Sequence, residues 1–137
     1  MKKNNKKYIL LKNLEIYQLA RQLSKIGWQI YQNLDWETKK INGNQFIEAT
    51  DSIGANIAEG YKGYNRFHFL DKIKFYYNAR SSLSEAYHHW LELLYERGKI
   101  TKPLYPQYKK IAEKLMIKLN NYISAIYKSY NENKNKQ

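Results

Sequence analysis

Apolar residues return along this chain at the period of a helix face. From about Leu14 to Leu34 the stripe is Ile16, Leu19, Ala20, Leu23, Ile26, Ile30 and Leu34. A second helix is expected from about Asn44 to Glu59. Phe46, Thr50, Ile53 and Ile57 share one face, and Gly54, Ala55 and Ala58 thin the other side for close approach. The polar stretch from Asp35 to Asn44 contains Asn42-Gly43, a turn signal, and reads as the connection between the two helices. Gly60 fits a C-terminal cap, where a left-handed residue is favoured.

The longest helix is expected from about Arg66 to Arg97, or ~48 Å at 1.5 Å per residue. Phe69, Ile73, Tyr76, Arg80, Leu83, Tyr87, Trp90 and Leu94 keep a heptad rhythm without a break. A second stripe, Phe75, Ala79, Ser82, Ala86 and Leu93, makes this helix apolar on two sides. Such a helix needs two partners, its own bundle and, on this reading, a neighbouring subunit. Gly98 ends it, and Pro103 suits the first turn of a fourth helix that runs to about Tyr130. The seam of that helix is Leu104, Tyr108, Ile111, Leu115, Leu119, Tyr122 and Ile126. The pattern predicts an all-α, antiparallel up-down-up-down four-helix bundle over residues 14–130. A flexible basic arm is expected at 1–13 and a flexible tail at 131–137. Phe75, Ala79, Ala86 and Leu93 are the expected faces of a homo-oligomer.

Composition changes the picture in two respects. With 24 basic and 12 acidic side chains among 137 residues the net charge is +12, which suggests an acidic partner, nucleic acid before an anionic membrane surface. The richness in Lys, Asn, Ile and Tyr is also what an AT-rich gene produces, although that alone does not suppress Asp and Glu. The chain has no cysteine, which excludes disulfides and thiolate metal sites. No run approaches the ~18 apolar residues of a membrane span, and the N-terminus lacks the apolar stretch of a signal peptide. A cytoplasmic location without membrane attachment is expected.

The run Ser52-Ile-Gly-Ala-Asn-Ile-Ala-Glu-Gly60, followed by Phe69-Leu70 and by Ala79 with Ser82-Leu83 and Glu85, resembles the signature of a known family. These are the four-helix-bundle proteins named for intervening sequences in bacterial 23S ribosomal RNA genes. The resemblance covers roughly Leu14 to Tyr130. Members are similar in fold to the accessory protein of diversity-generating retroelements, a basic pentameric barrel that works with a reverse transcriptase and its RNA. The resemblance implies a small bundle that assembles as a ring, often a pentamer, without established enzymatic activity or cofactor. Here Ser81 stands where glycine is usual, and Tyr87-His88-His89-Trp90 replaces an acidic run.

Asn56, Glu59, Gly60, Ser82 and Glu85 are the polar or special residues matched to that motif, and Arg80 is the charge in the predicted seam. They read either as a polar site between the second and third helices or as a hydrogen-bond network that fixes helix register. A buried Arg80 would need a carboxylate, with Glu59, Asp51 or Glu85 of its own or a neighbouring chain available. Glu85 and His88 form one Glu-x-x-His pair, short of the two a di-metal bundle uses. His88 and His89 are adjacent and point apart. There is no Gly-rich phosphate loop and no nucleophile elbow. The candidates for nucleic-acid contact are Lys62 and Arg66 beside Tyr61 and Tyr64, Lys72 and Lys74, and the row Lys110, Lys114 and Lys118. Lysines among tyrosines suit phosphates and unpaired bases. The function expected is a non-enzymatic accessory or scaffold factor for RNA or single-stranded nucleic acid. The alternative is a protein–protein adaptor whose charge confers only solubility.

Overall fold

The computed structural model describes residues 9–62 and 69–135, and these form helices with no strand among them. Helix α1 spans Glu15–Gln32 and buries the expected face through Ile16, Leu19, Ala20, Leu23 and Ile30. A 3₁₀ turn, Leu11–Asn13, precedes it. Residues 9–13, expected to belong to the flexible arm, are instead tied to the bundle. Gln18 Nε2 donates to the Lys12 carbonyl at 3.1 Å, the Tyr61 hydroxyl donates to the Ile9 carbonyl, and Leu11 packs on the core. The remainder of the arm, residues 1–8, lies outside the described residues.

The predicted connection at 35–44 is helical. Trp36–Thr38 leads through a π-helical stretch, Lys39–Gly43, into Asn44–Lys62, and the junction residues Thr38, Lys39 and Asn44 all keep helical dihedrals. We label this continuous rod, residues 36–62, α2. Asp35 starts it as an N-cap, its Oδ1 accepting the Thr38 N–H at 2.8 Å. Its Oδ2 accepts from the Thr38 hydroxyl at 3.1 Å and from Lys99 Nζ at 3.2 Å. Asn42 and Gly43 are buried inside the wide turn and do not form a loop. A Cβ on Gly43 would come within 2.8 Å of Leu34 Cδ1, so glycine serves close packing there.

The Thr38 N–H, then the Thr38 hydroxyl and Lys99, hold the Asp35 carboxyl down from an ordinary 3.8 to about 2. A depressed carboxylate stabilises the fold above its unfolded pKa, and that contribution is lost as pH falls through the folded value. Asp35→Ala is therefore expected to lower the urea midpoint at neutral pH. The gap to wild type should close between pH ~4 and ~2. An equal gap at both extremes would show that the carboxylate is not what caps the helix.

Gly60 is also not a cap. It sits within Asn44–Lys62, and the one glycine with positive φ among the described residues is Gly98. Its missing side chain makes room for the next helix: a Cβ would meet Tyr76 Cε2 and Cζ at 2.8 Å and Phe75 Cβ at 3.2 Å.

Helix α3 comprises Phe69–Ser84, a π-helical stretch Glu85–Leu91 and a last α turn Glu92–Glu96. The unbroken heptad expected here does not survive the wide turn, which admits one extra residue and moves the seam. Leu91, not Trp90, is fully buried, and Trp90 sits at the rim with its indole N–H on Glu85 Oε2 at 2.7 Å. Gly98 ends α3 as expected, with φ +70°. The Lys99 N–H bonds the Leu94 carbonyl and the Gly98 N–H bonds the Tyr95 carbonyl, both at 2.9 Å, the paired pattern of a Schellman end. Helix α4 spans Leu104–Asn135 and so runs past Tyr130 into the expected tail.

α2 packs on α1 and α3, and α4 packs on α1 and α3, which closes a four-helix cluster. The second stripe of α3 finds its cover inside the chain. Ala79 and Ala86 are 0 % exposed in the single protomer, so neither can face a second copy as expected. Gly60 lets α2 come close to α3 on that side, beside Phe75. Phe75 and Leu93 are half-buried.

Candidate functional site

The motif residues do not form one network. Ser82 and Glu85 come together with Gln45, Glu48, Ala49 and Ser52 around a polar hollow of about 160 Å³ between α2 and α3. Asn56 turns back on its own helix, Nδ2 donating to the Ser52 carbonyl at 2.9 Å. Glu59 is exposed, and Gly60 is a packing position. Within its own chain Arg80 takes none of the carboxylates expected for it. It is half-exposed, donates from Nη1 to Asn120 Oδ1 at 3.0 Å, and lies 5.1 Å from the Tyr77 ring centroid. At the rim water solvates the charge, so a neutral amide and an aromatic face suffice. His88 and His89 are exposed, and among the described residues no three His, Asp or Glu side chains gather as metal ligands.

The cationic candidates divide. Lys62 and Lys74 are exposed, as are Lys110 and Lys114 on the outer side of α4. Lys118 Nζ lies 3.6 Å from Glu15 Oε1, which leaves it partly neutralised. Lys72 lines a hollow of about 480 Å³ with Phe69, Tyr122 and Tyr130, and its burial lowers its pKa. Arg66 lies outside the described residues.

A further group escapes a reading that places 35–44 in a connection. Trp28 of α1 stacks on Tyr31 with centroids 5.3 Å apart, and Lys39 Nζ stands 5.0 Å from the Tyr31 ring centroid. Lys40 Nζ stands 5.0 Å from the centroid of Trp36, which is 73 % exposed. The available signal is the i, i+4 spacing of Trp36 and Lys40, which has meaning only once the stretch is known to be helical.

An all-α bundle with a hollow between α2 and α3, and with lysines on its outer faces, defines the class of protein. The chain belongs to the 23S rRNA-intervening sequence protein family, whose description matches residues 12–121. The fold is similar to that of a crystal structure of a protein with unknown function from the S23 ribosomal protein family of Bacteroides thetaiotaomicron. The TM-score is 0.69 at 23 % identity, over 79 % of this chain and 97 % of that one. No match was found among curated proteins. Among the described residues no helix is long and apolar enough to cross a membrane.

Proposed function

We propose that this chain is a non-enzymatic accessory protein that binds RNA or other single-stranded nucleic acid through its basic surfaces. The observation that carries this reading is the outward pair Lys110 and Lys114 on α4, in a chain of net charge +12. The bundle we propose is antiparallel, up-down-up-down. Contacts that support it run in opposite directions along neighbouring helices: Tyr31 with Asn44 and Ser24 with Asp51 between α1 and α2, Tyr77 with Tyr127 and Glu92 with Tyr105 between α3 and α4. We further propose a homo-oligomeric ring, with a pentamer as the subunit number the family resemblance implies and a reverse transcriptase as the kind of protein partner. A ring repeats the α4 lysines once per subunit, so weak phosphate contacts add.

The test is binding of a mixed-sequence RNA at several salt concentrations, with light scattering to fix the mass. Affinity should fall steeply with salt. The Lys110→Glu, Lys114→Glu double variant should bind more weakly and flatten the log–log slope by about 1.4, at ~0.7 per single-strand phosphate. Absence of binding at low salt, or an unchanged slope in the variant, overturns the RNA reading. A monomeric mass overturns the ring. The adaptor reading draws on exposed Leu70 and Ile117, at 59 % and 61 %; it gains ground if RNA is ignored.

A further inference from the structure

The corner where α1 meets the start of α2 brings exposed aromatic rings and cations together. Trp36 is 73 %, Trp28 49 % and Ile41 60 % exposed. Large aromatic rings left open to water on a folded surface mark contact sites more often than isolated aliphatics do. Here each ring has a cation beside it. Lys40 stands over the Trp36 ring and Lys39 over Tyr31, both at 5.0 Å, and Tyr31 in turn stacks on Trp28 at an interplanar angle of 21°. On the other side of Trp28, Arg21 and Lys25 line the same shallow hollow of about 420 Å³. Two stacked rings of α1, flanked by Arg21 and Lys25, are followed by the adjacent Lys39 and Lys40 and by Trp36 at the start of α2.

Each position is held by the fold. The Tyr31 hydroxyl donates to Asn44 Oδ1 at 2.6 Å, which fixes that ring against α2. Asp35 caps the helix and ties it to Lys99, so the turn that carries Trp36 is anchored at its first residue. An ammonium over one face of an indole leaves the other face open. A planar group that stacks there brings whatever anion it carries toward the same ammonium. An unpaired nucleotide has that form: a flat base joined through its sugar to a phosphate.

We propose that this corner is the stacking platform for unpaired bases, with Trp36 and Trp28 as its rings and Arg21, Lys25, Lys39 and Lys40 meeting the phosphates. The proposal rests on the nucleic-acid reading above and adds a preference within it. A duplex keeps its bases stacked on each other and offers the corner only phosphates, whereas a single strand can give up its bases to the rings. An anionic membrane fits less well. Surface-binding segments gather their apolar groups on one continuous face with charges at its edge. Here the cations stand between and over the rings, and Glu37 is exposed beside Trp36.

The experiment uses the full chain carrying Trp90→Phe, so that the indole signal comes from Trp28 and Trp36 alone. Oligouridylate of about 15 nucleotides, within the ~4–16 covered by a single-strand site, is titrated as the free strand and as its duplex with oligoadenylate. The strand is expected to quench the fluorescence. Trp36→Ala is expected to weaken strand binding about tenfold, the loss of one stacked base, with duplex affinity and salt slope unchanged. Trp36→Phe should recover most of the loss. Because Trp36 is mostly exposed, its removal takes little packing with it, and an unchanged circular-dichroism melt confirms that. If the unsubstituted chain binds neither strand nor duplex, the proposed function falls and this inference with it. If it binds the strand without quenching, and Trp36→Ala binds as tightly, the inference alone is overturned and charge acts unaided. Response to phosphatidylserine vesicles but not to the oligonucleotide overturns it in favour of a membrane surface.

Discussion

Gly60→Ala is expected to destabilise the fold by about 1–2 kcal/mol, although alanine is the better helix former. Alanine in a helix interior gains up to ~1 kcal/mol over glycine. Against this, the new Cβ would lie 2.8 Å from Tyr76 Cε2 and Cζ and 3.2 Å from Phe75 Cβ. Contacts that short require something to move. The Tyr76 ring is fully buried and packs on Tyr122 at a centroid distance of 5.1 Å, so it has nowhere to swing. The helices α2 and α3 must separate instead, and overpacking of this kind costs ~1–3 kcal/mol. Gly54 supplies the control. A Cβ there meets only Ala20 Cβ at 3.7 Å and Tyr17 Cε1 at 3.8 Å, ordinary contacts. Gly54→Ala should therefore be neutral or stabilising by up to ~1 kcal/mol. Urea denaturation of both variants beside the parent decides the matter. Parallel shifts of the two midpoints would sink the close-approach argument for Gly60.

These two glycines mark what the sequence could and could not disclose. Long stripes with helical period carry their own direction, and they were legible: the faces through Leu23 and Ile30, through Phe46, Ile53 and Ile57, and through Tyr108, Leu115 and Leu119 are all in the core. The Gly98 stop was legible because a left-handed residue just past the last apolar position has few other uses. Gly60 carries the same letter, but its reason lies on another helix and has no local trace. Asn42-Gly43 misled for a related cause, because a turn dipeptide is also small enough to be buried in a wide helical turn. The π-helical stretch at Glu85–Leu91 shifts the burial from Trp90 to Leu91, and a period read at a fixed spacing cannot anticipate that shift.

The candidate site was legible only in parts. Ser82 and Glu85 do meet Ser52 across the α2–α3 boundary. A charge buried in a heptad seam needs a carboxylate, but at Arg80 the seam is half-open, and Asn120 and Tyr77 are enough. Lys118 stood in a row of cations until folding brought Glu15 beside it. Trp28 and Trp36 were silent because exposure, unlike periodicity, is a property of the assembled surface.

Breaking the hydroxyl pair Thr50–Tyr108 should cost more than its size suggests. Both residues are 0 % exposed, and their oxygens lie 2.7 Å apart between α2 and α4, with either able to donate. Phe46 packs against the Tyr108 ring at 5.4 Å, and a Cβ on Gly27 would reach Thr50 Cγ2 at 3.0 Å, so α1, α2 and α4 meet at this point. Burial drives the Tyr108 pKa well above the ordinary tyrosine value, and the phenol stays neutral at any working pH. Tyr108→Phe leaves the Thr50 hydroxyl in the core without water or partner, which costs ~1–3 kcal/mol. Thr50→Val strands the phenol in the same way and should cost a similar amount. The double variant removes both polar atoms from a site whose shape is nearly kept, and it should recover much of either loss. Denaturant unfolding of the four proteins yields the coupling, expected at ~1–2 kcal/mol. Additive losses would mean that neither cost arises from the bond between the two hydroxyls. The pair would then be a coincidence of packing and could not be what sets the register of α2 against α4.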